Sequence, residues 1–524
     1  LAWVFLLPFT AKAASESYLS TADKKQLLST ETRLWQQPQN KALPVLQLDT
    51  TRQFQQMDGF GYTLTGGSAM HLMGLSAERR QQLLQELFGA KGLAVSYLRL
   101  SIGASDLDSA PFSYNDLPAG EQDPELKQFS IKADEKYLIP VLKQILAINP
   151  KIKLLGSPWS PPAWMKSNNS TVGGELLEQH FGSYALYFVK YIQAMQQHGI
   201  QLDAVTIQNE PLHPGNNPSL LMHAWDQAAF VKQHLGPAFK AAGIQSKIII
   251  YDHNPDHVEY PLAVLNDAAA KAFIDGTAFH LYNGSINELA RLKAAHPDKH
   301  IYFTEQWTGA KGNFAGDFIW HMQHIVIGTM SNWSSMVLEW NLANDPTYGP
   351  HTPGGCTECL GALTIAGSDL KRNVSYYIIG QVAPFIPAGS VRIQTTSSNT
   401  QIQSIGFKSA DGKKVKIVLD SLIAGYIHEI KLNGMTSTEG KTLLHDFAYY
   451  TMNNIPDGPA TELKPADLAK SGHAAMSHDM HMNTPVKSVN SPVTAKRKLS
   501  MPGDWGQPDV TIKLGTKPGL KFDN

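Results

Sequence analysis

The chain has 524 residues, enough to bury a large core and to form two or three domains. Its 44 basic and 45 acidic residues nearly cancel, which removes the electrostatic case for nucleic acid or an anionic membrane surface as partner. No apolar run reaches the ~20 residues of a membrane-spanning helix.

Residues 1–13 read as a signal peptide: an apolar run from Leu1 to Phe9, then the small-x-small site Ala11-Lys12-Ala13. An exported protein, periplasmic or extracellular, is expected. Residues 14–50 should supply N-terminal strands. From 51 to 385, short β-branched runs alternate with helical patterns. The strands are expected at 59–63, 96–102, 153–157, 204–208, 247–251, 276–280, 300–304 and 335–340. The helices are expected at 77–88, 135–148, 184–198, 226–242, 258–270 and 286–295. Eight strand-helix units predict an α/β fold, a (β/α)8 TIM barrel. A doubly wound sheet would need a G-x-G-x-x-G turn, and Gly59, Gly61, Gly66 and Gly67 lack that spacing.

Beyond the barrel the pattern changes to strand alternation at 391–396, 400–408, 414–419 and 428–432. The turn pairs Asp411-Gly412 and Asn433-Gly434 break it. An antiparallel β domain is expected over 386–456. Residues 457–524 read as a linker or low-complexity tail; alternating His and Met at 473–482 could bind copper, but a solvated tail is the favoured reading. Cys356 and Cys359, the only cysteines, are spaced C-x-x-C between glycine-rich flanks. A local disulfide is expected there in an oxidising compartment, since the loop setting does not fit a thioredoxin-like motif and two cysteines with His351 alone are too few for a zinc site.

Two of the expected strands lead into glutamates: Ala204-Val205-Thr206-Ile207-Gln208-Asn209-Glu210 and Ile301-Tyr302-Phe303-Thr304-Glu305. A barrel gathers its strand C-termini on one face, so Glu210 and Glu305 could meet in one pocket although they lie 305 − 210 = 95 positions apart. Paired carboxylates across a pocket are the working groups of glycosidic bond hydrolysis. Helix capping or salt bridging is the plainer alternative for each.

Asp58-Gly59-Phe60-Gly61, Leu98-Arg99-Leu100, the run from Ser157 to Lys166, Gln208-Asn209-Glu210-Pro211, His280-Leu281-Tyr282, Phe303-Thr304-Glu305 and Glu339-Trp340-Asn341-Leu342 follow one another here. In that order they resemble glycoside hydrolase family 30, the family of acid β-glucosidase (glucosylceramidase). The resemblance spans about residues 15 to 455. It implies a β-sandwich built from both chain ends, Glu210 as acid/base and Glu305 as nucleophile of a retaining hydrolase. It also implies that Asp106, Trp159, Asn209, His280, Tyr282 and Trp340 line the sugar site. The segments from Gly61 to Ser68 and from Gly349 to Cys359 look more like the microbial branch with β-1,6-glucanases.

The residues themselves fit that chemistry. An amide at Asn209 can bond a sugar 2-hydroxyl. Arg99, inside an apolar strand, needs an anionic partner, for which Glu305 is a candidate. His280 and Tyr282 share one side of a strand, and Trp159 and Trp340 can pack on pyranose faces. Each also has a plain reading as a core or turn residue, Asp106 and neighbouring Asp108 as helix caps. No metal or other cofactor is expected. The expected partner is a carbohydrate: a β-glucoside, a glucosylceramide or a β-glucan. The leading reading is a glucosylceramidase-like β-glucosidase. A β-1,6-glucanase, a transglycosylase or inverting enzyme, and a non-catalytic carbohydrate-binding protein stand beside it.

Overall fold

The computed structural model describes residues 14–34, 45–420, 427–433 and 447–451. The expected signal peptide and the 457–524 tail, with its His/Met run, lie outside the described residues.

Eight parallel strands close into a barrel: β1 (Gly59–Leu64), β2 (Tyr97–Ile102), β3 (Lys153–Pro158), β4 (Ala204–Thr206), β5 (Lys247–His253), β6 (Ile274–His280), β7 (His300–Glu305) and β8 (Ser334–Asn341). They pair in sequence order, and β8 closes on β1. The strands read as continuous apolar runs because both faces are covered, one by helices and one by the barrel's own interior.

That interior changes character along its axis. Tyr97, Leu155, Ala204, Ile249, Ala278, Tyr302, Met336 and Leu338 form an apolar plug. Two residues further along most strands, on the same side of the pleat, stand Arg99, Ser157, Thr206, His280, Thr304 and Trp340. The switch from apolar to polar within one pleat repeat puts the charged groups over the plug, at the C-terminal face.

Several elements differ from expectation for local reasons. Strand β4 stops at Thr206 rather than 208; beyond it the chain turns between its two neighbours, Asn209 N donating to Pro158 O at the end of β3 and Glu210 N to Asp252 O on β5. Strand β5 runs past 251 to His253 through an irregularity in its pairing, with Tyr251 and Asp252 both at positive φ (73° and 67°). The helix expected over 226–242 is three pieces. Ala224–Phe230 passes through a π turn, Val231–Leu235, into Gly236–Ala242, where Pro237 cannot donate. Asp267 divides the helix expected over 258–270 by capping Ala268–Lys271.

Beside the barrel lies a six-stranded sheet in the order Val415–Leu419, Ser404–Lys408, Val391–Ser397, Val45–Gln56, Ile427–Asn433, Phe447–Thr451. It draws on both ends of the chain, since Val45–Gln56 precedes the barrel. Its pairings are antiparallel except that of Val45–Gln56 with Ile427–Asn433, which is parallel. Gln55 Nε2 donates to Ser334 O and Arg392 Nη1 to Ser331 O, so the sheet is anchored at the start of β8, opposite the catalytic face. Ala14–Leu19 and Ser29–Leu34 form a separate hairpin.

Candidate active site

Arg99 organises the floor of the cleft. It is fully buried on β2 and makes four hydrogen bonds, with each of its three nitrogens engaged. Nη1 donates to Glu305 Oε2 (2.5 Å), Nη2 to Asn209 Oδ1 (2.6 Å) and Asp252 Oδ2 (2.8 Å), and Nε to Ser157 Oγ (3.2 Å). Its guanidinium lies 4.7 Å from the Trp159 ring centre and 5.9 Å from that of Trp340. A cation left in an apolar strand would be very costly, and three anionic or amide acceptors offset that cost.

Glu210 and Glu305 do converge. One oxygen of each, with a His280 ring nitrogen, lies within 4.8 Å of the other two. Glu210 holds a left-handed backbone (φ 46°), a conformation that costs energy in a non-glycine residue and persists here through the bond from its N–H to Asp252 O. His280 stands between the acids. Its Nδ1 is 3.1 Å from Glu210 Oε1 and 3.6 Å from Glu305 Oε1, and its Nε2 is 3.1 Å from Asp252 Oδ1. Tyr282 Oη donates to Glu305 Oε1 at 2.9 Å.

Burial works to lower the His280 imidazole, but the Glu305 charge and its bonds to Asp252 and Glu210 raise it to about 9. Burial pushes the Glu305 carboxyl above the usual glutamate range, against the pull of His280 and Arg99. Glu210 is equally buried, yet its contacts with His253 and His280 hold it well below that range. Glu210, His280 and Glu305 lie close enough to titrate as one coupled set. The pulls differ in permanence: an imidazole can lose its proton and a guanidinium cannot. Glu305 therefore holds a permanent cation, whereas the basic groups facing Glu210 are imidazoles. Glu210, His280 and Glu305 are the His/carboxylate group closest to a metal cage among the described residues. The His280 nitrogens already contact Glu210 and Asp252, and the Glu305 oxygens accept from Arg99 and Tyr282, an arrangement suited to a proton relay.

Asp106 sits in the loop after β2, where no helix begins. Its Oδ2 accepts from the Cys356 N–H (3.2 Å), while buried Oδ1 has no protein partner. Burial, then the Glu305 charge, raises its carboxyl to about 7. An acid with one free oxygen beside the two glutamates is suited to a sugar hydroxyl. Asp108 instead ties its own turn, accepting from Ser105 N and Oγ. Trp159 is 1 % exposed and tilts against Trp340, with ring centres 5.5 Å apart. It therefore supports Arg99 and Trp340 more than it faces solvent. Trp164 is core, its Nε1 bonded to Asn115. Cys356 and Cys359 are bridged. The loop bearing them joins the wall of the site, since Cys359–Leu360 pairs with Thr308–Gly309 and the bridge packs with Leu107, Trp307 and Trp340.

Three contributors escaped the sequence reading. Asp252 Oδ2 takes bonds from Arg99, Ser157 and Thr206 (2.8 Å each), and its Oδ1 from Thr304 (2.6 Å). Burial works to raise it, but Arg99, His280 and Thr304 hold it far below the carboxylate range. His253 lies 3.6 Å from Glu210 Oε1. The polar run Asp252-His253-Asn254 ending an apolar strand is the same kind of tip as those at Glu210 and Glu305. Trp307, two residues past Glu305, was a third such contributor.

The sequence profile of the glycosyl hydrolase family 30 TIM-barrel domain matches residues 57–386. The chain belongs to glycoside hydrolase family 30. Within the family it is 33 % identical over 386 residues to the Aspergillus fumigatus protein named endo-1,6-β-D-glucanase neg1, covering 69 % of this chain and 77 % of that one. Mouse lysosomal acid glucosylceramidase is 27 % identical over 405 residues, covering 72 % and 77 %. The solved structure titled the endo-β1,6-glucanase BT3312 superposes with a TM-score of 0.76 at 32 % identity, over 84 % of this chain and 97 % of that one. This chain is thus a family 30 glycoside hydrolase with catalytic-barrel relatives of both substrate types.

Proposed function

We propose that the chain is an exported retaining β-glycosidase that cleaves β-1,6-linked glucan. The observation that carries the mechanism is the approach of Glu210 and Glu305 to within 4.8 Å. A retaining pair needs ~5–5.5 Å between carboxyl groups, whereas an inverting pair leaves ~6.5–9.5 Å for a water. Glu305, with its permanent cation and the Tyr282 donor, attacks the anomeric carbon as the bond to the leaving oxygen breaks. Glu210 gives that oxygen a proton. Glu210 then takes a proton from water, which attacks the anomeric carbon and releases Glu305. Asn209, oriented by Arg99, offers its amide to the 2-hydroxyl, and Asp106 Oδ1 accepts from another hydroxyl.

For the substrate, 33 % and 32 % identity to proteins named β-1,6-glucanases against 27 % to a glucosylceramidase favours the glucan over the glucosylceramide expected first. The apolar N-terminal run supports export. Hydrolysis should be measured side by side on a β-1,6-glucan, a β-1,3-glucan and glucosylceramide in detergent. Release of reducing ends from the β-1,6-glucan should be fastest. Faster turnover of glucosylceramide would return the first reading to the lead.

A further inference from the structure

Among the described residues, two large hydrophobic side chains are exposed: Trp225 at 67 % and Val172 at 37 %. Isolated exposed apolar groups need no explanation. These two share one edge of the catalytic face. Val172 belongs to the loop after β3 and Trp225 to the first turn of Ala224–Phe230, which ends the loop after β4. The loops are stitched together, with Leu221 N donating to Gly174 O (2.8 Å) and Ser219 N to Thr171 O (2.9 Å). Buried Lys166 pins the junction, donating to Ser219 O at 2.6 Å and Ser160 Oγ at 2.9 Å.

The exposed indole is held in place. Its ring stacks on His223 at 4.4 Å and 15°, and His223 Nε2 is 3.4 Å from Glu175 Oε1. Asp226 adjoins the pair, and the charges of His223, Glu175 and Glu178 all act on it. A fixed, exposed aromatic face edged with carboxylates matches one ligand chemistry: a pyranose, with C–H groups on one face and hydroxyls around its rim. The same segment connects to the cleft. His213 N donates to Glu210 O, Met222 N to Pro211 O, and Tyr251 N to Gln227 Oε1 of the helix that carries Trp225.

We infer that Trp225, with His223 and the carboxylates of Glu175 and Asp226, forms a remote binding platform for a glucosyl unit of a polymeric substrate, on Glu210's side of the catalytic face. The inference rests on the glucanase reading above. It deepens that reading by giving the enzyme a second hold on a long chain. Tethering at one point raises the effective concentration of glycosidic bonds at the other. The platform is already ordered, so binding to it costs little further loss of freedom.

The test compares the full chain with its Trp225→Ala and Trp225→Phe variants on a long β-1,6-glucan, on β-1,6-linked disaccharide and on an aryl β-glucoside. Because the indole is exposed, the variants should melt with the parent chain. Trp225→Ala should raise KM on the polymer about two- to tenfold, the size of one aromatic stacking contact, with kcat little changed. Turnover of disaccharide and aryl glucoside should match the parent, and Trp225→Phe should recover most of the polymer affinity. Equal KM values for parent and Trp225→Ala on a polymer that both hydrolyse would overturn the platform alone. No hydrolysis of β-1,6-glucan by the parent would overturn the glucanase reading and the platform with it. A KM increase of the same size on the disaccharide or the aryl glucoside would place the indole's effect in the cleft itself and overturn the remote platform.

Discussion

Arg99 and Glu305 meet at 2.5 Å across the barrel axis, although their strands, β2 and β7, are separated by two others. The pair joins a permanent cation to one of two carboxylates that otherwise compete for charge. This asymmetry supports Glu305 as the nucleophile of the proposed mechanism. Glu305→Gln keeps the shape and a bond to Arg99 but cannot form a glycosyl ester. Turnover should fall by more than about 10³-fold with the melting temperature within a few degrees of the parent. Near-parental turnover on any β-glucoside would remove Glu305 from that role.

Glu210 should be separable from Glu305 by leaving group. Glu210→Ala loses the proton donor, so substrates with alkyl or sugar leaving groups should suffer far more than aryl glycosides, which leave without help. Azide should restore turnover of an activated aryl glycoside and give a β-glycosyl azide, because Glu305 still forms the intermediate on the opposite face. NMR of the product decides it: an α-azide, or equal losses on aryl and alkyl substrates, would contradict the assignment.

Asp252 links the relay to pH. The His280 imidazolium is raised to about 9 from an ordinary 6.5. A cation raised on folding contributes stability that is fully present below 6.5 and is lost as pH climbs toward 9. Asp252→Asn removes one of the charges that raise it, so the alkaline loss of kcat/KM and of melting temperature should begin at lower pH. It also leaves the buried Arg99 one anion short, a destabilisation of about 3–5 kcal/mol. Calorimetry and pH–rate profiles from pH 6.5 to 9 check both. An unmoved alkaline limb would mean that His280 does not titrate through Asp252.

The barrel was legible because strands covered on both faces must be apolar throughout, and eight such runs alternate with helical patterns. Glu210 and Glu305 were legible because a charge ending such a run stands out. Asp252 and His253 end the apolar run Ile248-Ile249-Ile250-Tyr251 in the same way, but a polar tip by itself does not say which side chain turns into the barrel. Only the irregular pairing and two positive φ angles turn Asp252 inward, and no residue pattern records that. Trp225 was hidden differently. It stands one position before the helix expected over 226–242, in a loop whose pattern gives no exposure, and the observed helix Ala224–Phe230 takes it into its first turn.

The bridge between Cys356 and Cys359 gives the last prediction. It closes too short a loop to constrain the unfolded chain much, since that stabilisation grows with loop length. Its neighbours say more. Cys356 N bonds Asp106 Oδ2, Cys359 packs with Trp307 and Trp340, and Thr352 N separately holds Asp106 O at 2.9 Å. Opening the bridge should therefore loosen the wall between the loops after β7 and β8, while the Asp106 backbone keeps its second tie. The Cys356→Ser, Cys359→Ser variant should fold with a melting temperature only slightly lowered. Its kcat on an aryl β-glucoside should be largely kept, because Glu210, Glu305 and Arg99 belong to other loops and strands. KM on a β-1,6-glucan should rise several-fold, because an extended chain must pass that wall. Equal losses on both substrates, or a large drop in melting temperature, would show that the bridge supports the barrel rather than the cleft.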